Sequence, residues 1–137
     1  MKKILILLLL CFVVANSKAQ VAVIANKSVP LENISETILL DIYSGDIKWW
    51  DNGDPVVVFD LVQKTEVKSE FYNFIGKSTS RMKSIWLKKM LSGEGEPPEA
   101  LKSEDEMLKI VGETIGAIGF ISKNKVEPEV KVLVLVE

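Results

Sequence analysis

Histidine is absent from the 137-residue chain, and cysteine occurs once, at Cys11. Without histidine there is no Ser-His-Asp or Cys-His catalytic set, no usual zinc site and no ordinary pH switch near neutrality. Cys11 lies in a leading segment expected to be removed. The remainder then has no disulfide, no thiol nucleophile and no thiolate metal site, so no metal and no cofactor is expected, and an exported domain of this kind relies on its core. Basic charge is scarce too. Lys2, Lys3 and Lys18 all precede residue 20, which leaves 14 basic residues against 19 acidic ones, a net of −5. That balance does not support nucleic-acid binding, which needs a basic surface. No internal repeat, low-complexity tract or domain-dividing linker is visible.

What is present begins with an export signal. Met1-Lys2-Lys3 is followed by an uncharged apolar run, Ile4 to Val14, and then by Ser17 and Ala19, small residues at the spacing a signal peptidase reads. Residues 1–19 are read as a signal peptide cleaved after Ala19. At about 1.5 Å per residue the run covers roughly half of a ~30 Å hydrocarbon core, which argues against a transmembrane anchor. Cys11 does not fit a lipoprotein, because Leu10 stands where a small residue is wanted. Residues 20–137 are expected to form one domain, periplasmic if the source has an outer membrane.

Along that stretch, strands and helices alternate. Val21 to Ala25 and Val56 to Phe59 read as buried strands. Ser35 reads as an N-cap, with Ile38, Leu39 and Ile42 on one face and Gly45 as the stop. Thr65 or Ser69 starts a helix carrying Val67, Phe71, Phe74 and Ile75, closed by Gly76. Ser78 or Ser80 caps the next, with Met82, Ile85, Trp86, Met90 and Leu91 as its stripe. Ser92 to Pro98 is a break. Ser103 and Glu106 suggest a capping box for a helix ending at Gly112. Ile115 to Ile121 is a strand whose Gly116 and Gly119 allow close approach, and Val130 to Val136 is a last strand, whose run Val132 to Val136 fits a sheet buried on both faces. The class is α/β, a three-layer sandwich in which helices cover a mixed sheet.

Few residues suggest chemistry. Gly93-Glu94-Gly95 has the glycines of an anion cradle, but its glutamates repel an anion. Lys77-Ser78 and Lys83-Ser84 do not face each other as a catalytic pair would. The acidic runs Glu94–Glu99 and Glu104–Glu106 lack the ligand alternation of a calcium loop, and the second suits a helix N-terminus. With no activated nucleophile, the chain is read as a non-enzyme. Trp49 and Trp50 are candidates for an interaction surface. Either one is exposed or both pack over the sheet edge.

Three segments carry a resemblance. Ile38 to Trp49, with its Leu39, Ile42-Tyr43, Gly45, Ile47 and Trp49, is similar to a stretch of the phosphate-binding proteins of ABC transporters. So are the strand Val56 to Asp60 and Gly116-Ala117-Ile118-Gly119-Phe120, and together they span roughly Val23 to Ile121. The chain resembles a short, single-lobe member of that family. The resemblance implies one lobe of a type 2 periplasmic binding protein, with phosphate or another small anion as ligand. In the family an Arg follows the second strand, and Ser-Gly-Thr opens the next helix. Here the Arg position falls on Asp60 or Leu61, and Ser-Gly-Thr falls on Thr65, Glu66 and Val67. Thr65 is the ligand residue by position, with Lys64 as its charge partner. Asp60 and Glu66 put negative charge where phosphate would sit. A lobe without its mate also leaves a face for an envelope protein or a second copy of the chain, so the alternative expectation is a ligand-free protein-interaction or sensory module of the cell envelope that kept the fold and lost the phosphate site.

Overall fold

The computed structural model describes residues 20–137. Residues 1–19, expected to be a signal peptide and including Cys11, lie outside the described residues. Elements follow in the order β1 (Val21–Asn26), α1 (Glu36–Tyr43), β2 (Val57–Leu61), α2 (Glu66–Ile75), α3 (Thr79–Leu91), β3 (Glu99–Leu101), α4 (Glu104–Glu113), β4 (Ala117–Ser122) and β5 (Val130–Val136), with a 3-10 turn at Lys123–Lys125. They build one mixed sheet of order β3-β2-β4-β1-β5. β1 is antiparallel to both neighbours, whereas β2 is parallel to β3 and β4. The fold class is the expected one.

Each helix starts where a short oxygen side chain meets an open N–H. Ser35, Thr65, Ser78 and Ser103 accept from the N–H three residues on. The reciprocal half of the capping box differs from expectation: Glu106 accepts from Lys102 N at 3.0 Å and not from Ser103.

The sheet has two unlike faces. On one, Phe71 of α2 stacks on Phe120 of β4 at 4.1 Å and 6°, with Tyr43 of α1 tilted against Phe71 at 4.7 Å. Tyr43 is fully buried, and its hydroxyl donates to Phe59 O at 2.8 Å. Burial holds that phenol protonated well above its usual range. On the other face α4 lies close to the sheet, because a Cβ at Gly119 would overlap Met107 Sδ. Asn26 Nδ2 donates to Val111 O and Gly112 O at 2.9 and 3.0 Å, which ties the end of β1 to the last turn of α4.

Several expectations are corrected. Ile38 is exposed, since an eight-residue helix turns Leu39, Ile42 and Tyr43 inward. Met90 and Leu91 are exposed, because α3 is held to the core by Met82, Ile85 and Trp86. Gly112 sits inside α4, which runs on to Glu113. Ile115 precedes β4 and is exposed. β5 is an edge strand with Leu135 exposed, not a strand covered on both faces. Its register against β1 skips Leu133 between Val23 and Ile24, a bulge of the kind that twists an edge. β3 was not anticipated.

Candidate functional site

In open α/β sheets, ligands gather outside the carboxyl ends of the strands. Here those ends are Leu61 of β2, Leu101 of β3 and Ser122 of β4, beside the N-termini of α2 and α4.

Asp60 is the charged residue at the end of β2. Its Oδ1 accepts from Leu61 N at 2.7 Å, and its Oδ2 accepts from Tyr72 OH at 2.7 Å. Lys68 Nζ lies 3.5 Å from Oδ2 and donates to Leu61 O at 2.6 Å. The pair is largely shielded, with side-chain exposure of 11% for Lys68 and 18% for Asp60. Burial, reinforced by the Asp60 charge and its hydrogen bond, raises the Tyr72 phenol far above its usual range. Tyr72 therefore stays a donor. The carboxylate, ammonium and phenol complete one another, and among the described residues no buried side-chain polar atom lacks a partner.

Lys64 and Thr65 are neighbours in sequence but line different hollows. Thr65 Oγ1 accepts from Lys68 N at 3.4 Å as the α2 cap. It borders a small depression of about 180 Å³ shared with Lys102, Ser103 and Lys125. There Glu104 accepts from Ser122 N, and Lys125 lies 3.9 Å from Glu104 and 3.8 Å from Asp105. Carboxylates of the chain itself thus occupy the N-terminus of α4. Lys64 instead opens on a cleft of about 370 Å³ with Asp60, Lys68 and Tyr72 inside it. Met82, Trp86 and Pro97-Pro98 form the apolar wall. Trp86 and the two prolines also border a second hollow of about 470 Å³ against β2.

The two adjacent tryptophans separate. Trp50 is buried and donates from Nε1 to Gly116 O at 2.9 Å, while Trp49 is 66% exposed. Gly116, at φ +79°, has no room for a Cβ because it would overlap Pro55 O. Trp50 thus fastens the 49–55 loop to the start of β4, and Trp49 faces outward.

Sequence reasoning placed none of Lys68, Tyr72, Trp86 and the Pro97-Pro98 pair at a site; Trp86 was read only as part of an apolar stripe and the prolines as part of a break. One signal was available for the first two: Lys68 falls in the stripe Val67, Phe71, Tyr72 and Ile75 of α2, and a lysine in an apolar stripe needs a counter-charge.

The fold is similar to that of one lobe of solved phosphate-binding proteins. A Clostridium perfringens protein assigned as a phosphate ABC transporter substrate-binding protein, solved with bound phosphate, superposes with a TM-score of 0.68 at 21% identity, over 84% of this chain and 45% of its own. An ABC-type phosphate transport receptor from Vibrio cholerae gives 0.67 at 21% identity, over 85% and 47%. PstS from Borrelia burgdorferi gives 0.59 at 20% identity, over 84% and 47%. The chain thus spans about half the length of the structures it matches. No family model and no curated protein matches it. Among the described residues no helix is long and apolar enough to cross a membrane.

Proposed function

We propose that the chain is a non-catalytic binding module of the exported substrate-binding-protein type, built on one lobe and not tuned to phosphate. The observation that carries this reading is the state of Asp60. A phosphate binder needs a fork of donors at the end of β2. This chain places there a carboxylate that already receives Tyr72 OH, Leu61 N and the Lys68 charge. An internal anion takes up the donors that an external one would use. Thr65 serves α2 as its cap, so small anions bind weakly at most.

Export rests on the leading segment, with cleavage after Ala19 and residues 20–137 folding as one unit, in the periplasm of a cell with an outer membrane. Mass spectrometry of the exported protein tests this: a mature chain starting at Gln20 agrees, and retention of residues 1–19 refutes it.

The exposed Trp49, with Leu87 and Leu91 on α3, favours a second reading in which an envelope protein or a second copy of the chain is the partner. Calorimetric titration of the purified protein with phosphate at low salt, with sulfate as control, tests the main proposal. The expected result is no heat at millimolar phosphate. Saturable, phosphate-selective heat at micromolar concentrations would overturn it.

A further inference from the structure

The cleft beside Asp60 is more than the remainder of an anion site. Its volume of about 370 Å³ lies within the usual span of small-molecule pockets, roughly 300–1,000 Å³. One side is apolar and already formed. Trp86 is held by its Nε1–H donating to Tyr43 O at 2.9 Å, and Met82 is buried beside it. Methionine and indole surfaces adapt to apolar guests, and Pro97 and Pro98 present rings with no N–H to hydrate.

The charge of the cleft is the opposite of the chain's. Lys64, Lys68 and Lys83 line it against the single acid Asp60. Lys68 is matched by Asp60 inside the cleft. Lys64 and Lys83 are exposed where they line it, and their ammonium groups have no hydrogen-bond or ion-pair partner among the described residues. A small inorganic anion would leave the apolar wall unused. A neutral apolar molecule would leave both ammonium groups unused.

We infer that this cleft binds an organic anion with an apolar body, of the class of a medium-chain carboxylate. The carboxylate meets Lys64 and Lys83, and the hydrocarbon lies against Met82, Trp86 and the proline pair. The inference rests on the reading of the chain as a binding module, and it adds a ligand class which that reading leaves open.

The test is calorimetric titration of the purified protein with octanoate and with octanamide, its neutral analogue, on the wild type and on the double variant Lys64→Gln, Lys83→Gln. Both lysines are exposed, so the variant is expected to fold. Octanoate should bind saturably and octanamide more weakly. The double variant should weaken octanoate by about fivefold to tenfold, as two exposed charge pairs allow, and leave octanamide unchanged. Equal binding of the two ligands, binding of neither, or octanoate binding indifferent to the variant would overturn the inference. A parallel phosphate titration separates the two proposals. Saturable phosphate binding without octanoate binding overturns both, and silence toward both ligands overturns this inference alone.

Discussion

The two faces of the sheet are held by opposite means. Between β4 and the α1–α2 layer, large rings fill the space: Phe71 on Phe120, with Tyr43 and Tyr72 around them. Between β4 and α4, space is withheld, since Gly119 has no side chain and Met107 and Val111 come down to the strand. Aromatic area gives the first face its stability and carries Tyr72 to Asp60, so the polar cluster is an extension of the ring layer. The second face owes its closeness to one missing side chain. The candidate site is therefore tied to the face built by addition, and the closeness of α4 to the face built by omission.

The largest test of this contrast is Phe71→Ala. It should cost about 3–5 kcal/mol through the lost ring and the cavity left behind, measured by denaturant unfolding. A loss below about 1 kcal/mol would mean the ring layer does not govern stability. Next is Lys68→Met, which leaves Asp60 shielded without its counter-charge and should cost about 2–3 kcal/mol. Adding Asp60→Asn to it should recover most of that loss, and a purely additive double variant would show that the two groups are not coupled.

On the opposite face, Gly119→Ala should cost about 1–2 kcal/mol by overpacking against Met107. Pairing it with Met107→Val, which shortens the obstructing side chain, should return part of the loss. If it returns nothing, the closeness of α4 has another cause.

The smallest effect concerns Asp46, whose carboxyl is held below its ordinary 3.8 chiefly by its hydrogen bond to Lys89 at 2.8 Å. A depressed folded value means the contribution is present above 3.8 and is lost as pH falls through the lower folded value. Asp46 is exposed, so screening limits it to about a few tenths of a kcal/mol. Asp46→Asn should flatten the acid limb of stability by that much. An unchanged acid limb would show that the pair contributes nothing.

Much of the fold was readable because its signals are local. Val21 to Ala25, the cap at Ser35, the stop at Gly76 and the run Val130 to Val136 each declare themselves within a few residues. β3 did not, because Glu99, Ala100 and Leu101 carry no pattern. They are a strand only because the edge of β2 offers them N–H and C=O partners. Of the candidate site, the end of β2 could be picked out from the sequence, but not the contacts made there. Asp60 was found as an acid in the wrong place, whereas its neutralisation depends on which way α2 faces as it returns over the sheet. Lys64 and Thr65 looked like one pair, yet the turn between β2 and α2 directs them to separate hollows. Trp50 could not be told from Trp49 without Gly116, which is distant in sequence.

β1 is the first described strand, yet it lies between β4 and β5, the last two of the described strands. It runs against both, with every residue buried. Until Val130 to Val136 has left the ribosome, Val21 to Asn26 has at most one flank to pair with and an apolar surface to hide. Sheet closure must therefore bring together segments far apart in the chain, which costs loop entropy before any pairing is gained and slows folding. A chain so arranged stays open for longer after synthesis than one that pairs its strands in order.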